Sequence, residues 1–150
     1  GSGTIINISS IAGKLSMPTG GWYHASKHAL EAYSDALRLE VAQFGIKVVL
    51  VEPGPIRTEW DNTALVNLEK YSGSGAYAPL VKRITEKFRA GYRRGAPGPE
   101  AVAAVILKAL NSSSPSARYP VPCSARGLLF LNWLLPDSVM DRAIRFVLKA

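Results

Sequence analysis

The sequence carries a β-branched run near its start, Thr4-Ile5-Ile6-Asn7-Ile8, and a second apolar run further on, Ile46-Lys47-Val48-Val49-Leu50-Val51. Both runs are short and apolar at most positions, which is typical of strands buried in a parallel sheet. From Trp22 to about Phe44, apolar residues recur at three- and four-residue steps, which indicates an amphipathic helix. Gly45 follows where a left-handed residue commonly ends a helix. This order of strand, helix and strand predicts a βαβ unit.

Length and composition indicate an ordinary globular chain. It has 150 residues, of which 47% are hydrophobic and 19% charged, far from the composition of disordered proteins. We find neither the roughly 20 consecutive apolar residues of a membrane-spanning helix nor the layout of a secretion signal, so a cytoplasmic location is expected. Cys123 is the only cysteine, which argues against an intramolecular disulfide and against a zinc site built on cysteines.

The rest of the chain predicts a looser region and then a helix, an edge strand and a helical tail. Residues 59–98 contain several glycines between short helical patches, as a mobile lid does. Proline favours the first position of a helix, so a helix is expected to open at Pro99. A strand at 118–122 is expected at a sheet edge because of its prolines. We expect a single partial domain over residues 1–150, with a βαβ core at 1–58, the lid at 59–98 and a C-terminal part at 99–150.

Two side chains at the start of the helix could work together. Tyr23 and Lys27 are four residues apart, so they lie on one helix face about one turn from each other. An ammonium group beside a phenol favours the phenolate, and such a phenol can exchange a proton with an alcohol or carbonyl oxygen. The spacing alone is weak, because many surface helices carry a tyrosine and a lysine four residues apart.

The context of this pair is more specific than its spacing. Ser10 follows the first predicted strand and precedes Tyr23 by thirteen residues. The second predicted strand ends in Pro53-Gly54-Pro55-Ile56-Arg57-Thr58. Ligands of open α/β sheets bind outside the carboxyl ends of the strands. Two strand ends and one helix start are therefore expected to meet at one crevice.

Three segments of the chain, taken together, resemble the short-chain dehydrogenase/reductase family in order, spacing and strand context. They are Asn7-Ile8-Ser9-Ser10, Tyr23-His24-Ala25-Ser26-Lys27 and Pro53-Gly54-Pro55-Ile56-Arg57-Thr58. The resemblance implies an α/β fold, the C-terminal part of a Rossmann-like doubly wound parallel sheet with a helical lid and C-terminal helices. The glycine-rich turn that binds the dinucleotide pyrophosphate in the first βαβ unit of such folds is not found in this sequence.

The resemblance also implies an activity and a role for individual residues. The expected reaction interconverts a secondary alcohol and a ketone with NAD or NADP. Tyr23 looks like the general acid/base, Lys27 like the residue that binds the nicotinamide ribose and tunes the phenol, and Ser10 like the hydroxyl that orients the reacting oxygen. Ser9 is the competing choice for Ser10. The residues expected to bind the cofactor are Tyr23, Lys27, Pro53, Gly54, Ile56 and Thr58.

Two readings of the whole chain remain open at this stage. In the first, the chain is part of a dehydrogenase that keeps the catalytic residues and lacks the adenine side of the cofactor site. In the second, it is a non-enzymatic remnant or a binding module of the same fold. The family resemblance also implies a homo-oligomer formed through the helix after Tyr23, and the long apolar tail favours a hydrophobic alcohol or ketone as substrate.

Other features of the sequence have a plain interpretation beside a sharper one. His24 and His28 are four residues apart, but without a carboxylate partner we expect packed or solvated histidines and no metal site. The basic residues of 82–94 favour a solvated lid helix over a site for an anionic group, and no nucleic-acid motif accompanies them. The apolar run at 128–135 favours packing over contact with a membrane surface.

Overall fold

The computed structural model describes residues 2–93 and 95–149. These residues form three strands and six α-helices, with short 3₁₀ turns between some of them. The elements are β1 (Gly3–Ile8), a 3₁₀ turn at Ile11–Gly13, α1 (Gly21–Val41), a 3₁₀ turn at Ala42–Phe44, β2 (Ile46–Pro53), α2 (Glu59–Ser72), a 3₁₀ turn at Gly75–Tyr77, α3 (Ala78–Arg93), α4 (Glu100–Leu110), β3 (Arg118–Val121), α5 (Cys123–Leu134) and α6 (Asp137–Lys149).

The three strands form one parallel sheet in the order β1-β2-β3. β2 lies in the centre, and four consecutive residues from Val48 to Val51 are at most 4% exposed. β1 is more open than the sequence predicts, because among the described residues it pairs on one side alone; Ile5 and Ile8 are 37% and 43% exposed. β3 is the edge strand that its proline predicts.

Helices α1 and α4 cover opposite faces of the sheet. Ile6 packs with Val105 of α4 against the core. The side-chain amide of the next residue, Asn7, instead donates to Ser34 Oγ of α1 at 2.8 Å. Successive side chains of a strand point to opposite faces, so the two helices lie on different sides. The predicted βαβ unit is confirmed, and Gly45 has the left-handed conformation expected after the helix (φ 71°).

The chain divides into two compact units. The first contains the chain through Gly54 together with Glu100–Leu131, and so holds the whole sheet, α1 and α4. The second contains Pro55–Pro99 and the chain from Asn132 onward. In the second unit, α3 packs on α2 and on α6. The buried side chains of this unit include Leu65 of α2 and Val81 and Ile84 of α3.

The region predicted as a loose lid is more regular than expected. It forms two helices, α2 with 14 residues and α3 with 16, where the sequence predicts short helical patches. The glycines mislead because one of them, Gly91, lies within α3, whereas Gly75 sits between the helices with φ 75°. No helix among the described residues combines the length and the apolar character that crossing a membrane requires.

Candidate functional site

Ser10 joins the ends of two neighbouring strands. Its hydroxyl donates to the carbonyl oxygen of Pro53 at 3.1 Å and accepts a hydrogen bond from the Ala12 amide, also at 3.1 Å. The second bond caps the 3₁₀ turn Ile11–Gly13. Ser10 is 8% exposed, so this hydroxyl is held firmly at the carboxyl end of the sheet, where ligands of such folds bind.

Ser9, the competing choice, has a different environment. It is 3% exposed, and its hydroxyl has no hydrogen-bond partner among the described residues, while its amide donates to Val51 O at 2.8 Å. A side chain added at Gly13 would place its Cβ 2.9 Å from Ser9 Oγ. Ser9 thus faces the packed interior between the turn and α1, whereas Ser10 bridges the strand ends.

Tyr23 and Lys27 lie together in the first turns of α1. The Lys27 ammonium is 5.8 Å from the centroid of the Tyr23 ring and donates to the Ile8 carbonyl oxygen at 3.0 Å. Ile8 is the last residue of β1 and precedes Ser9 and Ser10 directly. Lys27 therefore ties the Tyr23 face of α1 to the strand end that carries Ser10.

His24 fixes the start of α1 against the turn after Ser10. Its Nε2 accepts from the Met17 amide at 3.0 Å, so the ring hydrogen is on Nδ1, which donates to Ala12 O at 3.1 Å. Both ring nitrogens of this buried side chain are thus engaged by the backbone, which leaves none for a metal ion. The described residues contain no group of three or more metal-ligating side chains.

Gly13 is a part of the site that sequence reasoning missed. A Cβ built there would lie 2.8 Å from Glu31 Cγ, 2.9 Å from Ser9 Oγ and 3.0 Å from the Lys27 carbonyl oxygen. The turn after Ser10 therefore packs its backbone directly against α1 at Lys27, an approach that glycine alone permits. A lone glycine after a strand carries no such information in the sequence.

A cluster of charged side chains, also missed, lies on the α1 side of the sheet. We call Glu31, Asp35, Glu52 and Arg118 the Arg118 cluster. Arg118 Nε is 3.1 Å from Glu31 Oε2 and 3.5 Å from Glu52 Oε1, and its Nη2 is 2.6 Å from Asp35 Oδ2. Lys14 Nζ adds a contact to Glu31 at 3.2 Å.

Burial changes the proton affinity of this cluster. Glu31 and Glu52 are 3% and 1% exposed. Desolvation, helped by the nearby charge of Glu31, raises the pKa of Glu52 to about 7. The hydrogen bond from Arg118 lowers the pKa of Asp35. Glu31 and Asp35 are one turn apart on α1, but Glu52 and Arg118 are far from them in sequence, so no local pattern could have predicted the meeting of the four.

The segment predicted to bind the cofactor falls into two parts. Gly54 lies in the first unit, where its amide donates to Val121 O at 2.7 Å, and a Cβ there would make ordinary contacts of 3.5–3.6 Å. Ile56 and Thr58 belong to the second unit, with Ile56 buried and Thr58 exposed. The described residues of the first unit thus include Ser10, Tyr23, Lys27, Pro53 and Gly54.

The basic residues predicted on the lid lie mainly on α3. Arg89 is paired with Glu69 of α2 at 3.0 Å, whereas Arg94 lies outside the described residues. A cavity of about 360 Å³ opens between these helices within the second unit, and Lys82 and Arg89 are among its lining residues. None of the predicted site residues lines it.

The chain is similar to proteins of one known family. A family model described as short chain dehydrogenase matches residues 1–67. A probable short-chain type dehydrogenase/reductase, VdlC of Helicobacter pylori, is 43% identical over 143 residues, covering 95% of this chain and 52% of that protein. The chain belongs to the short-chain dehydrogenase/reductase family. Its α/β sheet, with Ser10 at a strand end and Tyr23 and Lys27 on α1, is the arrangement that the sequence resemblance predicts.

A further relative and a solved structure agree with this assignment to the short-chain dehydrogenases. The NADPH-dependent 3-dehydrocapnine reductase of Ornithobacterium rhinotracheale is 38% identical over 145 residues, covering 93% of this chain and 49% of that protein. The crystal structure of a short-chain dehydrogenase from Streptomyces avermitilis is 31% identical, with a TM-score of 0.66, over 95% of this chain and 50% of that chain. The chain spans about half the length of the curated relatives that it matches.

Proposed function

We propose that this chain carries the catalytic residues of an NAD(P)-dependent oxidoreductase that interconverts a secondary alcohol and a ketone. The observation that carries the proposal is the position of Lys27: its ammonium is 5.8 Å from the Tyr23 ring centroid and 3.0 Å from the carbonyl that ends β1. A phenol beside an ammonium, with the Ser10 hydroxyl at the carboxyl end of a parallel strand, is suited to proton exchange with a carbonyl oxygen.

In the reductive direction, the Tyr23 hydroxyl gives its proton to the carbonyl oxygen of the substrate and becomes a phenolate. The cofactor supplies the hydride for the carbonyl carbon when it is bound. The positive charge of Lys27 stabilises the phenolate that forms. In the oxidative direction the same phenolate takes the proton of the alcohol, so one residue serves both directions.

Ser10 is proposed to orient the substrate oxygen. Its hydroxyl has one proton, which goes to Pro53 O in the present arrangement. Rotation of the hydroxyl would redirect that proton to a substrate oxygen, while the Ala12 amide continues to donate to Ser10 Oγ. The Ile11–Gly13 turn would thus keep Ser10 in place while its hydroxyl changes its acceptor from Pro53 O to the substrate oxygen.

Lys27 fits the binding of a ribose. An ammonium has three N–H donors, so Lys27 can hold the Ile8 carbonyl and still donate to hydroxyl groups of a nucleotide. We propose that Pro53 and Gly54 lie along the nicotinamide of NAD or NADP, whereas the roles of Ile56 and Thr58, which belong to the second unit, stay predictions. The NADPH dependence in the name of one relative supports a nicotinamide cofactor, and a small hydrophobic ketone or alcohol is the proposed substrate.

Helix α1 is proposed to join two copies of the protein. Large apolar side chains project from it into solvent: Trp22 is 92%, Leu39 73% and Tyr33 60% exposed. Trp22 and Tyr33 are eleven residues apart, about three turns, so they share the side away from buried Glu31 and Ser34, and this side is suited to a second copy of the same helix. The mass of the intact protein in solution, measured by light scattering for the wild type and for Tyr33→Lys, tests this contact. A monomeric wild type would contradict it.

The function is tested in the intact protein by Tyr23→Phe. The assay follows absorbance of NADPH or NADH while straight-chain methyl ketones of increasing length are offered. We expect Tyr23→Phe to remove turnover and leave dinucleotide binding close to that of the wild type. Tyr77→Phe, at an exposed tyrosine outside α1, is the matched control. Full turnover in Tyr23→Phe would overturn the proposal, and a wild type without any turnover would favour the binding module.

A further inference from the structure

Three polar side chains share the sheet face that α1 covers. Asn7 pairs with Leu50 in the register of the sheet, and Leu50 pairs with Arg118 on its other side. Residues paired across strands project to the same face, and so does Glu52, two positions after Leu50. This face therefore carries three polar side chains beside the buried Leu50, whereas Ile6 and Val49 make the opposite face apolar.

Arg118 connects the three elements that meet on this polar face. It is the first residue of β3, and it reaches Glu31 and Asp35 of α1 as well as Glu52 of β2. The guanidinium group is a rigid planar fork with five donors, so it can serve several carboxylates at once in a fixed geometry. Glu31 and Glu52 are almost fully buried, and Arg118 supplies the positive charge that both of them contact.

Two carboxylates of this cluster, those of Glu31 and Glu52, lie next to residues of the candidate site. Glu52 directly precedes Pro53, whose carbonyl accepts the hydrogen bond of Ser10. Glu31 lies one turn after Lys27, and its Cγ and the Lys27 carbonyl both contact the position of Gly13, in the turn after Ser10. The hydrogen bonds and ion pairs of Arg118 are with Glu31, Asp35 and Glu52, so its influence on Ser10 and Lys27 would pass through Glu31 and Glu52.

We propose that Arg118 is a positioning residue, which through Glu31 and Glu52 holds the Ser10 turn in register with the Tyr23–Lys27 face of α1. The inference rests on the function proposed above. Without Arg118, the buried carboxyl groups of Glu31 and Glu52 lose the guanidinium that joins α1 to the end of β2. One of them must then bind a proton or separate from the other, and in either case the link between the two elements is lost. A small displacement between reacting groups is enough to slow catalysis severely.

The test compares Arg118→Met and Arg118→Lys with Arg145→Met in the intact protein. Arg145 forms an exposed ion pair with Asp141 at 3.6 Å in α6 and provides a matched loss of one arginine charge. NADPH or NADH and the straight-chain methyl ketone that the wild type reduces best are the probes. Turnover kinetics are recorded together with hydrogen exchange of the Ala12 and Gly13 amides, which donate to Ser10 Oγ and Ser10 O.

We expect Arg118→Met to lower kcat by about tenfold or more, with the KM for the dinucleotide within about twofold of the wild type. The Ala12 and Gly13 amides should exchange faster, by a larger factor than the buried amide of Val49 in β2. Arg118→Lys, which retains the charge but not the fork, should lie between Arg118→Met and the wild type, and it serves in place of Arg118→Met if that variant fails to fold. Arg145→Met should behave as the wild type.

A folded Arg118 variant that keeps the wild-type kcat would overturn the proposal, whether or not its stability falls. Unchanged exchange at Ala12 and Gly13 would also overturn it. The exchange measurement requires no turnover. An inactive wild type would therefore defeat the proposed function, while the exchange rates alone would decide whether Arg118 holds the Ser10 turn.

Discussion

The hydroxyl of Ser10 donates to the carbonyl oxygen of Pro53 at 3.1 Å, across the carboxyl ends of two neighbouring parallel strands. The bond lies just beyond the register of the sheet, whose last pair between these strands joins Ile8 and Val51. The Ser10 side chain thus adds a hydrogen bond between β1 and β2 beyond the last backbone pair. The residue proposed to orient a substrate oxygen is thus also the residue that links the two strands at their carboxyl ends.

Ser10→Ala should show both roles of this hydroxyl. The variant loses the bond to Pro53 O and the cap of the Ala12 amide, and each such bond contributes about 1 kcal/mol. We expect the free energy of unfolding of the intact protein to fall by about 1–2 kcal/mol and turnover to fall by about tenfold or more. Ser16→Ala, at an exposed position, is the control. Urea unfolding and a turnover assay measure the two effects, and unchanged values for Ser10→Ala would contradict them.

Gly13→Ala should be destabilising, although alanine is a conservative replacement. The new methyl group would lie within 3.0 Å of Glu31 Cγ, Ser9 Oγ and Lys27 O, and one of these is backbone that cannot move without shifting α1. Overpacking of this kind costs about 1–3 kcal/mol. Gly127→Ala is the opposite case, because it lies in α5 with open space around the Cβ position, so alanine should stabilise by up to about 1 kcal/mol. Thermal unfolding of both variants is the measurement: the melting temperature should fall in Gly13→Ala and rise in Gly127→Ala.

The sequence predicts the sheet better than it predicts the contacts around the site. The strands at 4–8 and 46–51 and the helix between them follow from local periodicity, which burial against a single sheet enforces. The positions of Ser10, Tyr23 and Lys27 follow from a motif whose spacing the βαβ unit preserves.

The Arg118 cluster could not be predicted in the same way. Glu31, Glu52 and Arg118 come from three different elements, so their meeting depends on the register between β2 and β3 and on the rotation of α1. Gly13 is similar, because a glycine in a short turn gives no sign of what packs against it. The prediction of short helical patches at α2 and α3 was wrong for a different reason. Gly91 looks like a helix breaker in the sequence, but it lies within α3.

His24→Ala should cost far more than His28→Ala, although the two histidines look equivalent in the sequence. His24 is buried and accepts from the Met17 amide while donating to Ala12 O. Losing both bonds and the ring should lower the free energy of unfolding by about 2–4 kcal/mol. His28 is exposed, so its replacement should change stability by about 0.5 kcal/mol or less. Equal losses, or stabilisation of the wild type by added zinc that neither variant shows, would favour the metal site instead.

The stability of the protein should fall as the pH rises toward neutrality, because of Glu52. Its pKa is raised from 4.5 to about 7 by burial and by the charge of Glu31. Between these values the folded protein binds a proton that the unfolded chain has lost, so stability decreases with rising pH and levels off above about 7. A shift of this size corresponds to a loss on the order of 3 kcal/mol across that interval. Asp35, whose pKa is lowered, works in the opposite sense, but at more acidic pH.

Glu52→Gln isolates this contribution, since glutamine cannot ionise and has nearly the same shape. The difference in free energy of unfolding between Glu52→Gln and the wild type, measured in urea at a series of pH values from about 5 to 8, should move steadily in favour of the variant. Glu40→Gln, at an exposed position of α1, should leave the pH dependence as it is in the wild type. A difference that stays constant across the series would mean that Glu52 ionises in the folded protein as it does in the unfolded chain. The positive charge of Arg118 would then cancel the effect of burial on the pKa of Glu52.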